Sequence, residues 1–315
     1  WVSSFYTNFF NLLDMKMNVG ITNILMQMNL MLSANIVKVP NVYLLSTQKW
    51  IEAVGKNAYN QKLWYMGKIP FSNDVFCEAA KSIKSALRGI TGLSKKIIIL
   101  DLDDTLWGGS VGDVGWENIR LGGHDPIGEA YMDFQFALKS VIKRGILLGI
   151  VSKNEENTAL EAINKHPEMV LKLDDFAGWR INWKDKAQNI VELISELNLG
   201  LQSVVFIDDN PYERARIRET LPEVFVPEWP KDKMLYKSTF LDLRCFEMAL
   251  ITEEDVTRTK LYAHERQREE LKRKVSSLED WLRGLRIKVK IEKVNKGNLQ
   301  RAVQLLNKTN QMNLS

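Results

Sequence analysis

Two runs of apolar residues, each ending in acid, constrain this chain more than anything else in it. Lys96-Ile-Ile-Ile-Leu100 leads into Asp101, and Ser203-Val-Val-Phe-Ile207 leads into Asp208. A continuous β-branched run with no polar alternation suits a strand covered on both faces, and such strands belong to parallel sheets wrapped by helices. Ile146-Leu-Leu-Gly-Ile-Val151 reads as another strand of this kind, and Val224-Phe-Val226 as a short fourth. Helical patterns fall between them, over residues 128–144, 155–164, 186–197 and 212–221. Strands alternating with helices predict an α/β core with a parallel sheet. In such sheets the functional groups gather beyond the carboxyl ends of the strands.

The acids therefore carry the chemistry. Asp101 and Asp103 are two residues apart in an extended segment, so both can face one site. Paired carboxylates repel unless a cation lies between them, which makes Mg²⁺ their natural partner. Asp208 and Asp209 bring two more acids to the same edge of the sheet. Ser152 ends another strand in a hydroxyl, and Lys186 opens the helix before the Asp208 strand. An acidic pair in a loop is by itself an ordinary solvated turn. The order acid-x-acid-x-Thr, Ser, Lys, Asp-Asp, with each group on a suitable element, is far more restrictive.

That order resembles the haloacid dehalogenase-like (HAD) superfamily of phosphotransferases. Finer motifs are similar to its FkbH-like branch: Asp101-Leu-Asp-Asp-Thr-Leu-Trp-Gly-Gly109, Ser152-Lys-Asn154, Arg180-Ile-Asn-Trp183 with Lys186, Asp208-Asp-Asn-Pro-Tyr-Glu-Arg214 and Asn307-Lys-Thr-Asn-Gln311. Trp64 to Ser72 resembles the segment before the phosphatase core in that branch. The resemblance implies a Rossmann-like core with a minimal cap and an aspartyl-phosphate mechanism. Asp101 would attack phosphorus, and Asp103 would protonate the leaving group and then activate water. Ser152 and Lys186 would hold the phosphoryl oxygens. Thr105, Lys153, Asn154 and Asn210 would line the substrate site. Mg²⁺ would be held by Asp101, Asp103 (through its backbone carbonyl) and Asp208, with Asp209 close by. The substrate would be a phosphorylated glyceryl donor, 1,3-bisphosphoglycerate, and the partner an acyl or peptidyl carrier protein of polyketide-type biosynthesis. The alternatives are a phosphatase acting on a sugar or other phosphate ester in a surface-polysaccharide pathway, or a catalytically silent scaffold.

The implied domain plan has four parts. Residues 1–92 would be the tail of an SGNH-hydrolase-like region, read from the sequence as mixed α/β. Residues 93–250 would be the HAD core, 251–284 a charged helical linker, and 285–315 the start of an acetyltransferase-like domain. In the first part, Asn41 to Leu45 reads as β-prone, Trp64 to Pro70 as a loop, and Ser72 as the N-cap of a helix reaching Arg88. The opening at Trp1 and the closing Asn-Leu-Ser read as a fragment of a longer protein.

Many relatives in the FkbH-like branch carry a cysteine directly before the motif serine, and here that residue is Val151. The chain's two cysteines, Cys77 and Cys245, read as buried small apolar residues, so phosphoryl cleavage is better founded than acyl transfer. About 50 residues separate Asp101 from Ser152 and about 34 separate Ser152 from Lys186, too few for a large cap domain in either interval. Trp107, Gly108, Gly109 and Trp116 form either a small flap or ordinary packing.

Composition excludes several other classes. Hydrophobic residues make up 45% and charged residues 26% of the 315, so the chain can build a core and is not a disordered tract. A net charge of +4, from 43 basic and 39 acidic side chains, does not mark a nucleic-acid binder. Two cysteines fit a reducing, cytoplasmic setting. The apolar run from Ile21 to Ala34 is interrupted by Asn23, Gln27 and Asn29 and is too short to span a membrane. No glycine-rich loop follows the first strand, which argues against a dinucleotide enzyme or a P-loop ATPase.

Overall fold

The computed structural model describes residues 13–39, 41–248 and 261–262. All of them belong to one compact unit, residues 1–266. The expected linker helix (apart from Leu261 and Tyr262), the expected start of an acetyltransferase-like domain and the Asn307–Gln311 motif lie outside the described residues.

A four-stranded, wholly parallel sheet forms the centre: β1 (Ile97–Leu100), β2 (Leu147–Ser152), β3 (Phe176–Ile181) and β4 (Val204–Ile207), in the order β3-β2-β1-β4. Because side chains alternate along a strand, each strand feeds two separate cores. Ile98, Leu100, Leu148, Ile150, Val205 and Ile207 belong to one, and Ile97, Ile99, Leu147, Val151, Val204 and Phe206 to the other.

Four helices precede the sheet: α1 (Ile21–Ile36), α2 (Thr47–Val54), α3 (Gln61–Gly67) and α4 (Asn73–Ile90). The described part of residues 1–92 thus holds helices and no strand, where a mixed α/β segment was expected. Asn41 to Leu45 makes no sheet pairing. Of the expected loop from Trp64 to Pro70, Trp64 to Gly67 is the last part of α3, and Lys68 to Pro70 is the loop that follows it. Asn60 caps that helix by accepting from the Leu63 amide at 3.1 Å, a signal that lies upstream of the tryptophan. Ser72 does sit at the N-cap of α4, but its hydroxyl makes no capping bond. Gly89 continues α4 rather than ending it and lets the helix approach the Glu247 carbonyl. A Cβ at Gly89 would stand 2.7 Å from that oxygen.

Within the core, α5 (Val111–Val114) and α6 (Pro126–Ile142) lie between β1 and β2, α7 (Glu156–Lys165) between β2 and β3, and α8 (Lys186–Glu196) between β3 and β4. After β4 come α9 (Pro211–Thr220) and α10 (Tyr236–Leu241). None of these connections encloses a further domain.

One strand was not foreseen, and one expected strand needs correction. β3 has no continuous apolar run to announce it, because Gly178, Trp179 and Arg180 interrupt its pattern and it is an edge strand. Val224 to Val226 is not a fourth strand. Only Phe225 bridges to Val205, between Pro222 and Pro227, and proline cannot donate to a ladder.

The two strand glycines have a packing reason. Gly149 and Gly178 are register partners on β2 and β3. A Cβ on Gly178 would lie 2.8 Å from Leu193 Cδ1, and one on Gly149 would lie 2.7 Å from Ile99 Cδ1 and 3.2 Å from Leu193 Cδ2. The missing side chains make the hollow into which α8 presses Leu193.

Candidate active site

The sheet order reverses at β1, whose neighbours β2 and β4 lead away on opposite sides. Ligands in open α/β sheets bind at such a switch point. β1 delivers Asp101 there, and β4 delivers Asp208 and Asp209. The Asp101 amide still bonds the Ile207 carbonyl at 3.0 Å, so the two acidic ends stay in register.

Asp101, Asp208 and Asp209 each offer a carboxylate oxygen, and these oxygens lie within 4.8 Å of one another. Lys186, at the start of α8, reaches in from the side. Its ammonium lies 2.6 Å from Asp208 Oδ2 and 3.0 Å from Asp101 Oδ1. The Asp101 contact lacks the alignment of a hydrogen bond, leaving that buried oxygen without a hydrogen-bonding partner. Burial works against the charge on Lys186, but the two carboxylates outweigh it and hold the amine protonated. For Asp208 the balance runs the other way. Burial and the neighbouring Asp101 charge push its carboxyl up, despite the Lys186 contact and the Asn210 amide at 2.8 Å. Burial likewise raises Asp209, partly offset by Lys233.

Asp103 lies outside the triad, with both carboxylate oxygens engaged elsewhere. Oδ1 accepts from the Trp107 indole at 2.9 Å and the Val111 amide at 3.1 Å, and Oδ2 accepts from the Asn154 side chain at 2.9 Å. Burial pushes its pKa up, against the Val111 and Trp107 donors that favour the charged form.

The remaining sequence candidates sit around these groups. Ser152 is buried at the end of β2. Thr105 is buried and accepts the Asp209 amide at 3.2 Å. Asn154 holds Asp103. Lys153 pairs with Glu213 at 2.6 Å, and Asn210 caps α9 by accepting from the Tyr212 amide at 3.0 Å. Trp107 is fully buried and bonded to Asp103, and Gly108 pairs with Arg120, so this stretch is packed wall rather than a flap.

Several residues here were not singled out by sequence. Arg214 donates to the carbonyls of both Asp208 and Asp209 at 2.7 Å, fixing the acidic turn from within α9. Its position in the Asp208–Arg214 motif was the available signal. Lys233, Tyr131 and Tyr236 converge on the Asp104 carbonyl from distant elements, and no local pattern marks them.

Both thiols are remote from this edge. The Lys95 amide bonds the Cys245 carbonyl at 2.9 Å, placing Cys245 at the amino end of β1, roughly 20 Å from Asp101 at about 3.3 Å per strand residue. Burial raises its pKa to about 12. Cys77 is exposed on α4, the helix whose Glu78 and Ser85 contact Arg244, so it belongs to the same far side.

No protein family's sequence profile matches the chain, and no curated protein matches it. Among solved structures it is similar to the N-terminal part of the protein BF1531 from Bacteroides fragilis, which contains a phosphatase domain and was crystallised in complex with Mg. The two are 38% identical with a TM-score of 0.72, over 76% of this chain and 64% of that one. The chain therefore spans less than two thirds of that structure. A likeness to a hypothetical protein, XCC2798 from Xanthomonas campestris, has 17% identity and a TM-score of 0.30 over 63% of this chain and 94% of that one, too distant to carry an argument. The four-stranded parallel sheet and its flanking helices are thus an α/β, Rossmann-like fold, similar to a solved structure that contains a phosphatase domain. Among the described residues, no helix is long and apolar enough to cross a membrane.

Proposed function

We propose that this chain is a Mg²⁺-dependent phosphatase of the HAD type, acting on a small phosphorylated substrate through an aspartyl-phosphate. The observation that carries this is the convergence of Asp101, Asp208 and Asp209 at the switch point, with Lys186 and Asp103 beside them. The donor set fits the metal. Three carboxylates offer hard oxygen ligands, and an Asp101 oxygen has no aligned hydrogen bond. When bound, Mg²⁺ would offset the negative charge of the phosphoryl group beside the nucleophile.

The chain's own residues then divide the work. An Asp101 oxygen attacks phosphorus as the bond to the leaving oxygen breaks. Asp103, protonated, gives that oxygen its proton, and as a carboxylate it then takes a proton from the water that hydrolyses the aspartyl-phosphate. Lys186 offsets charge on the phosphoryl oxygens, with Ser152 as a neighbouring donor. The Asn154 and Trp107 bonds keep Asp103 aimed.

The finer reading is a glyceryl phosphate donor, 1,3-bisphosphoglycerate, supported by the FkbH-like motifs. Loading of a carrier protein would then have to use a thiol other than Cys77 or Cys245. The test is phosphate release from acyl phosphates and simple phosphate esters with Mg²⁺. Asp101→Asn preserves shape but removes the attacking charge, and release should fall by orders of magnitude with the fold retained. Turnover equal to the unaltered chain would end the aspartyl-phosphate reading.

A further inference from the structure

One backbone carbonyl in the site gathers three donors. The Asp104 oxygen accepts from the Lys233 ammonium at 2.8 Å, the Tyr236 hydroxyl at 3.1 Å and the Tyr131 hydroxyl at 3.3 Å. Asp104 needs holding. It sits between Asp103 and Thr105 with φ of 53°, the left-handed region that a non-glycine residue keeps only where its surroundings enforce it. The same ammonium donates to the Tyr236 hydroxyl at 2.9 Å and faces Asp209 Oδ2 at 3.6 Å. Lys233 is only about a fifth exposed, so these contacts are not those of a solvated surface lysine. Its segment is anchored independently: Tyr236 packs edge-on to Phe134 and Tyr131, and Trp229 packs against both Phe134 and Tyr236.

We propose that Lys233 is a positioning residue of the phosphoryl-transfer site, tying the Asp103–Asp104 turn to Asp209 and so setting one carboxylate of the metal-binding triad. The inference rests on reading that triad as a Mg²⁺ site. Charge alone makes the opposite demand. A cation beside a cation site repels the ion, and deleting it would tighten binding. Positioning requires binding to weaken, so the sign of the change separates the two roles.

The experiment is Mg²⁺ titration of the metal-free chain by calorimetry, with melting temperature as the check on folding. Lys233→Met removes all three contacts. Lys233→Gln retains a donor for the Asp104 carbonyl while losing the charge that faces Asp209. Both should bind Mg²⁺ about 10- to 100-fold more weakly, the usual loss when a group orienting a metal ligand is removed. Lys233→Arg should recover part of the affinity. Unchanged or tighter binding in either folded variant overturns the proposal while leaving the phosphatase reading intact. An unaltered chain that folds but binds no Mg²⁺ would overturn the metal site and this inference together.

Discussion

At the scale of single residues, the site combines groups that would be unstable alone. Asp103, Asp208 and Asp209 all have carboxyl pKa values raised in the fold, with burial the leading cause. A raised folded-state pKa means the native chain binds more protons than the unfolded one, so stability falls as pH rises above the unfolded carboxylate range near 4. The metal-free protein should therefore melt at progressively lower temperature from about pH 4 toward neutrality. Saturating Mg²⁺ should reverse much of that decline, because it favours the ionised forms. Differential scanning calorimetry across pH, with and without the ion, checks both arms, and a flat metal-free profile would contradict them. Asp103→Asn keeps the hydrogen-bonding shape but cannot shuttle a proton. Turnover should drop by about 10²- to 10⁴-fold, most of all for substrates with poor leaving groups, as steady-state rates on a series of esters would show.

At the scale of elements, the sheet and α8 meet through an absence. Gly149 and Gly178 leave room for Leu193, and their ideal Cβ positions fall at 2.7–2.8 Å from buried side-chain tips. Adding one methyl at either position overfills a packed layer. Gly178→Ala or Gly149→Ala should each cost about 1–3 kcal/mol, read as a lowered denaturant midpoint at unchanged slope. The consequence reaches the site, because α8 carries Lys186 at its first position and β2 carries Ser152 at its last. The helix termini work in the same direction. Asp185 caps α8 by accepting the amides of Ala187 and Gln188, and Asn210 caps α9. Both caps stand beside residues of the site, so the same short side chains that start the helices also hold the edge where the chemistry gathers.

At the scale of the whole molecule, the two edges of the sheet have separate uses. The carboxyl edge carries the acids. The amino edge receives α4, through Ser85 bonded to the Arg244 carbonyl at 2.5 Å and through the Glu78–Arg244 ion pair. Both cysteines lie on that far side, one with its thiol pKa pushed up to about 12. A thiolate nucleophile needs a lowered pKa and access to the acyl donor, and Cys245 has neither. The chain should hydrolyse its phosphate substrate without acylating itself. Mass spectrometry after incubation with Mg²⁺ and 1,3-bisphosphoglycerate should show no hydroxylamine-sensitive glyceryl adduct, and an adduct mapped to Cys77 or Cys245 would refute this.

The sequence by itself determined what is local. Uninterrupted apolar runs announced β1, β2 and β4, and helical spacing placed α6 to α9 to within a few residues. The acids at two strand ends could be assigned to one edge because parallel strands all point the same way. Edge strand β3 escaped, since a strand with one open side needs no continuous apolar run, and Gly178 breaks the pattern for the sake of Leu193. The helix from Ser72 was legible, whereas Asn41 to Leu45 was misread, because a β-prone pentapeptide pairs only if a partner strand lies beside it. The tertiary structure alone decides which side chains meet across long separations. Asn154 holds Asp103 from 51 residues away, Lys186 bridges Asp101 and Asp208, and Lys233 reaches the Asp104 carbonyl from 129 residues away. Hydrogen bonds and ion pairs depend on distance in space, and spacing along a chain specifies that distance only within a single helix or strand.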